Sequence, residues 1–338
     1  MNKTCWVLAC LVSLLSSSLH AESGELQPFR KSRELTGLIA TIGSDTMDPL
    51  VHRWSQLFQR FYPDMEFSIE SRGSGTAAAA LTDGRSQLAP MSRPMTASET
   101  AAFGARYGYA PTGIRVALDA VAVYVHRDNP VTGLSLEQLD GIFSSARRCG
   151  GPRITKWREV VKDWKKDDAI TLVGRNKLSG THDVFRTNVL CNGDFSSDYH
   201  EEPHSNNVIY RVATNPNAIG YAGVGYLTQT VKAVPLARKT GDQFIPIRAA
   251  NQPDNVNVSH APIISGDYPL SRFLFIYVNK KPGKPVSPEA DEFLRFVLSR
   301  DGQSVVGSSG FIPIDEKTAS VQRERLQASF KKEWWEGD

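Results

Sequence analysis

Long apolar runs are almost absent from this chain of 338 residues. The single candidate, Trp6 to Leu15, is too short to cross a bilayer, so no segment reads as a membrane anchor. An excess of one charge is also lacking. Lys and Arg number 39 against 36 Asp and Glu, a net +3 that is too small and too scattered to argue for a nucleic-acid partner. Cysteine is scarce, with four residues, two of them at the N-terminus. Catalytic signatures are missing as well. "HEEPH" at His200 to His204 matches a zinc-protease pattern, but Pro203 would break the helix that must carry both histidines. Arg72 precedes Gly73-Ser74-Gly75, so there is no Gly-x-Ser-x-Gly elbow. The turn at Gly174 to Thr181 lacks the lysine of a phosphate-binding loop. No enzyme, cofactor or metal is expected from these residues, and no repeat is visible.

What is present begins with a leader. Met1-Asn-Lys is a short positive start, Trp6 to Leu15 an apolar middle, and Ser16 to Ala21 a run of small residues. This predicts a signal peptide over residues 1–21, cleaved after Ala21. Cys10 follows Val-Leu-Ala, but too few apolar residues precede it for a lipoprotein signal. The mature chain is expected to be exported and soluble, keeping only Cys149 and Cys191. In an oxidising compartment they form one disulfide or remain as two buried thiols.

The remaining pattern alternates strands and helices. Leu38–Ile42, Glu66–Glu70, Gln87–Met91, Ala169–Val173, Asp119–His126 and Phe273–Val278 read as strands. Asp48–Tyr62, with Leu50, Trp54, Leu57, Phe58 and Phe61 on one face, reads as a helix, as does the Ala-rich Thr76–Leu81. A helix should also start near Thr181, and an appended one should span Val321–Trp335. Strands separated by helices predict an α/β fold with parallel pairing.

Several of these strands lead into a similar turn. Ile42 is followed by "GSDTM", Glu70 by "SRGSGTA", Met91 by "SRPM" and Val173 by "GRNKLSGT". Strand ends in open α/β sheets are where ligands bind, and helix N-termini there favour anions. Each Ser or Thr alone is as well explained as a helix cap, Ser179 and Ser74 included. Their repetition beside Arg93 and Arg175 points to one shared anion site.

Seven segments, "GSDTM", "GSGTAAAAL", "APMSRPM", "GRNKLSGTHDVF", "AIGYAGVGYL", "YPLSRFLFIYVNK" and "GFIPI", resemble in order the PstS-type phosphate-binding receptors of bacterial ABC transporters. The resemblance implies a two-lobed periplasmic binding protein of type II topology, with two crossover strands forming the hinge. Lobe 1 would join residues 37–120 and 272–338, and lobe 2 would span 121–271. It implies inorganic phosphate as ligand, membrane subunits of an ABC transporter as partners, a periplasmic location and a monomer.

Carried over by position, the resemblance puts Thr46 and the Met47 backbone N–H in the first turn and Ser74 in the second. Arg175, Ser179, Gly180 and Thr181 fall in the fourth. The third turn departs from the pattern: the family's aspartate, which accepts the proton of hydrogen phosphate and repels sulfate, is replaced by Arg93. Arginine cannot accept a proton. Asp45 is the candidate acceptor, with Arg93 offsetting its charge or holding the turn; stabilising a helix N-terminus is an equally open role for Asp45. A second functional class stays open too: an exported phosphate or oxyanion binder used in sensing, adhesion or sequestration, without a permease.

Overall fold

The computed structural model describes residues 24–162, 164, 169–248 and 260–327. The expected signal peptide over 1–21, with Cys5 and Cys10, lies outside the described residues, as do residues 328–335 of the expected C-terminal helix.

Strand β1 (Gly37–Ile42) leads through a 3-10 turn at Asp45–Met47 into α1 (Asp48–Phe61). Next come β2 (Met65–Glu70), α2 (Ser74–Asp83), β3 (Ala89–Met91), α3 (Ala97–Tyr107) and the long β4 (Thr112–His126). The middle of the chain holds β5 (Leu134–Ser135), α4 (Leu136–Phe143), β6 (Thr171–Arg175), α5 (Gly180–Asn188), β7 (His200–Glu202), α6 (Ser205–Thr214) and β8 (Ala218–Gly223). After β9 (Val231–Ala233), β10 (Leu236–Ala237) and α7 (Ala261–Ser265), β11 (Ser271–Val278) returns to the sheet. Helices α8 (Pro288–Val297), α9 (Arg300–Ser308) and α10 (Glu316–Gln327) end the described chain. The α/β class is as expected, and no described helix is long and apolar enough to cross a membrane.

Pairing is more mixed than the alternation implied. β1–β2, β6–β8 and β6–β7 are parallel, but β11 runs antiparallel to both β3 and β4, and β4 runs antiparallel to β8. The reason is topological. β11 arrives from far downstream and inserts between β3 and β4 in the order β3-β11-β4-β8-β6-β7. β4 also changes partners along its length. Thr112–Ala120 pairs with β11 and Val121–Val125 with β8, so Asp119, opposite Arg272, sits where one pairing gives way to the other.

Apolar spacing sets the packing. On α1, Leu50, Val51, Trp54 and Phe58 are buried, each contributing about 1.5–3 kcal/mol if fully withdrawn from water. They meet α8 and α9 through Phe58–Phe293 and Phe58–Phe296 ring contacts and a Trp54 Nε1 hydrogen bond to the Gly302 carbonyl. A second aromatic cluster surrounds α5, where Phe185 stacks on Tyr221 at 4.0 Å and packs edge-on against Phe143 at 5.0 Å.

Cys149 and Cys191 form a disulfide, with Cα atoms 5.4 Å apart and a sequence separation of 42. It ties the loop after α4 to the end of α5. Closing a loop of that length contributes about 4 kcal/mol in the chain-entropy model. Replacing both cysteines by serine should lower the free energy of unfolding by about 2–4 kcal/mol, measured by urea denaturation. Two alkylatable thiols in unreduced protein would contradict the bond.

Candidate functional site

β6 delivers Arg175, fully buried, to the turn that opens α5. Ser179 is the N-cap of α5: its hydroxyl oxygen accepts from the N–H groups of Thr181 (3.2 Å) and His182 (3.5 Å). Its hydroxyl hydrogen stays available to donate. Gly180 follows, and its small size is required. A Cβ there would lie 2.5 Å from Ser74 Oγ and 2.7 Å from Ser92 Oγ.

The start of α2 meets this turn head-on. Ser74, expected as a cap, is instead the first residue of α2, while Gly73 holds the N-cap position at φ +118°. A Cβ on Gly73 would sit 2.3 Å from the Leu178 carbonyl oxygen, and Gly75 N–H donates to that same oxygen at 2.9 Å. Ser74 Oγ accepts from the Ser92 N–H at 3.0 Å, and the two hydroxyls are 3.2 Å apart. Thr46 joins from the first turn, its hydroxyl 2.9 Å from that of Thr181. Two helix N-termini and five hydroxyls therefore converge, all partially positive or able to donate. Met47 differs from expectation: its N–H donates to the Ser44 carbonyl at 3.1 Å, closing the 3-10 turn, and its side chain is buried in the core.

Asp45 also differs. Its Oδ2 accepts from Arg175 Nη1 (2.8 Å), Ser205 N–H (3.0 Å) and Ser205 Oγ (2.8 Å), and its Oδ1 lies 2.7 Å from His204 Nδ1. Oδ2 thus faces three donors and Oδ1 only the His204 ring nitrogen, which makes Asp45 the counter-ion of Arg175 and leaves Oδ1 the less occupied oxygen. Tyr226 O–H donates to the Asp45 carbonyl at 2.8 Å and holds the turn from the other side.

Arg93 turns toward neither Asp45 nor the hydroxyl cluster. Its Nε donates to Asp183 at 2.7 Å, and Nη1 and Nη2 grip both Glu99 oxygens at 2.7 and 2.8 Å. It therefore pins its turn to α3 and to α5, leaving Ser92 as the third turn's contribution to the cluster. Burial by itself would raise the Glu99 and Asp183 carboxyls. Hydrogen bonds from Arg93, joined by Thr96 at Glu99 and by His182 at Asp183, outweigh it and hold both below their ordinary values of 4.5 and 3.8.

Several residues at this junction carry little sequence signal. Ser205 and His204 lie outside every recognisable turn motif. Arg272 falls within "YPLSRFLFIYVNK", just ahead of the strand expected at Phe273–Val278 and given no role there, yet its Nη2 donates to Thr181 Oγ1 at 3.0 Å and to Asp119 Oδ2 at 2.6 Å. Asp119 was detectable, being a lone carboxylate inside the apolar run Val116–Val125. Two buried donors, Arg175 Nε and Arg272 Nη1, find no partner among the described residues. A buried, unpaired guanidinium N–H is costly unless an acceptor completes it, and an anion would do so. No cluster able to hold a metal ion occurs among the described residues.

Comparison with known proteins agrees with this geometry. A family model described as a PBP superfamily domain matches residues 30–301. A phosphate-binding protein PstS of Pseudomonas aeruginosa is 41% identical over 307 residues, covering 90% of this chain and 91% of that one. The chain belongs to the PstS family of the PBP superfamily. A PstS of Staphylococcus aureus is 27% identical over 88% of this chain and 85% of its own. Among solved structures, a putative phosphate ABC transporter substrate-binding protein from Clostridium perfringens, with bound phosphate, superposes with TM-score 0.65. It is 25% identical and covers 82% of this chain and 100% of its own. This family membership makes the α/β architecture that of the two-lobed, type II binding proteins, with β4 and β11 as the crossover strands.

The Arg93 cluster has a defined pH behaviour. Carboxyl values depressed in the fold mean that its contribution is complete above the ordinary values and is lost as pH falls through the folded ones. Arg93→Gln should lower stability by about 1–3 kcal/mol at neutral pH, and its deficit should shrink at an acidic pH well below the ordinary value of 3.8. Urea denaturation of both proteins at the two pH values checks this; an equal deficit at both would exclude the ion cluster as the cause.

Proposed function

We propose that this chain is an exported receptor that captures inorganic phosphate between two lobes and delivers it to the membrane subunits of an ABC transporter. Lobe 1 comprises residues 37–120 and 272–338, and lobe 2 residues 121–271. After removal of the leader at 1–21 the protein works in the periplasm, as a monomer and without catalysis.

One observation carries the reading: the N-termini of α2 and α5 abut, lined by Thr46, Ser74, Ser92, Ser179 and Thr181, beside two buried guanidinium donors without partners. Such a cluster suits a small tetrahedral dianion, which can accept from every side. Family membership supplies the ligand's identity, since the relatives are named for phosphate binding.

The contacts between the proposed lobes explain how the site closes. Asp45 reaches Arg175, Ser205 and His204, Thr46 meets Thr181, Arg93 meets Asp183, and Gly75 N–H meets Leu178. Each joins lobe 1 to lobe 2. Closure thus forms a ring of direct contacts around the hydroxyl cluster and excludes water from it, which strengthens every donor–anion interaction inside. In this arrangement Arg175 is both a ligand donor, through Nε, and half of an inter-lobe ion pair.

Isothermal calorimetry with phosphate, arsenate, sulfate and nitrate is the direct test. Phosphate should bind at one site per chain; no heat with phosphate would sink the proposal. Arg175→Ala should cost about 2–5 kcal/mol of phosphate affinity, with the circular dichroism spectrum retained. Asp45→Asn leaves Arg175 without its inter-lobe counter-ion in the closed form, so anion binding, which needs closure, should weaken by about 2–5 kcal/mol. Phosphate and sulfate affinities should then move in parallel. A selective gain for sulfate would mean instead that Asp45 does sense the ligand's proton.

A further inference from the structure

We infer that Arg272, held by Asp119, is a second guanidinium ligand of the bound anion and fixes the back of the site at the crossover strands. The inference rests on the phosphate-receptor reading and adds to it a residue outside the four strand-end turns.

The geometry begins with a cross-strand pair. Arg272 on β11 lies directly opposite Asp119 on β4, at the point where β4 changes partners. Both are buried, Asp119 completely. Asp119 Oδ2 accepts from Nε at 2.9 Å and from Nη2 at 2.6 Å, while Oδ1 accepts the Val224 N–H at 3.0 Å. The carboxylate therefore grips one edge of the guanidinium and fixes the plane of the group. Nη2 continues to Thr181 Oγ1 at 3.0 Å, so that end of the guanidinium stands at the first turn of α5, beside Thr46. Nη1 shares a carbon with Nη2, is buried, and has no partner among the described residues.

A purely structural ion pair does not account for that arrangement. Burying a guanidinium is tolerable when its N–H groups are satisfied and costly when one is left over. A hydrophobic pair at Asp119 and Arg272 would hold two antiparallel strands at no such cost. The same pattern recurs at Arg175, where Asp45, Ser205 and the Pro203 carbonyl take both Nη groups and Nε is left over. Two arginines, each paired with a buried carboxylate, one with an unpaired Nε–H and the other with an unpaired Nη1 amino group, border one hydroxyl cluster. Asp119 balances the Arg272 charge before the lobes close and Asp45 balances Arg175 once they have, while the leftover N–H groups hydrogen-bond an oxyanion. Because Arg272 sits on a crossover strand, its donor is in place before the lobes close.

The test uses the full mature protein and inorganic phosphate. In heteronuclear spectra of arginine side chains, the Arg272 guanidinium signal is assigned by its loss in Arg272→Lys. Phosphate should shift it and slow the exchange of its hydrogens; an unchanged signal at saturation overturns the inference. By calorimetry, Arg272→Met should weaken phosphate binding about a hundredfold, and Arg272→Lys, which keeps the charge but not the planar fork, about tenfold. Equal losses in the two variants would mark Arg272 as structural. If Arg272→Met does not fold, the wild-type spectra decide alone. Failure of the wild type to bind phosphate overturns the receptor reading itself, whereas binding with a silent Arg272 overturns only this assignment.

Discussion

The buried ion pair between Asp45 and Arg175, 2.8 Å apart, is the contact around which the rest of the site is organised. It joins the turn after the first strand to the end of β6, two elements 130 residues apart in sequence. Two charges cannot be withdrawn from water cheaply, and their mutual attraction offsets the loss only when the remaining donors and acceptors are satisfied. Ser205, His204 and the Pro203 carbonyl do so here. Asp45 is thereby held from one side and Arg175 from the other, and Thr46 and Ser179, next along the chain, inherit their positions.

Close backbone approach is the second constraint, and it follows from the first. Once Arg175 is fixed, the turn after it runs into the start of α2, and only glycine at 73 and 180 leaves room. The approach brings two helix N-termini together, an electrostatically unfavourable meeting of like partial charges. An anion between them reverses its sign. The architecture is thus stabilised by the ligand it is built to hold, as linkage requires of any protein that binds in its folded state alone.

Long-range topology sets the third. β11 enters between β3 and β4 from a distant part of the chain and places Arg272 against Asp119. The pair lies where β4 passes from one set of strand partners to the next, so the charge it carries belongs to the crossover itself. Arg93 shows the opposite outcome. Its position in a strand-end turn suggested the ligand, yet Glu99 and Asp183 take it, because both lie nearer in the packed fold.

Much of this was legible in order along the chain. The 3.6-residue apolar spacing of α1, the short β-rich runs and the Gly-Ser-Thr turns after them are local, so the α/β class, the turns at Thr46, Ser74 and Ser179–Thr181, and the candidate cysteine pair could all be read from the residues and the family they resemble. Partner choice could not. Asp45 was open to a ligand's proton on sequence grounds, and the fold sets it against Ser205, His204 and Arg175; Arg272 stood just ahead of an expected strand and reaches Thr181. Sequence determines what each residue can do through its own chemistry and its neighbours within a turn of helix or a strand. Which charges meet is decided by tertiary structure, because pairing energy depends on separation in space and on exclusion of water, and neither is encoded by position along the chain.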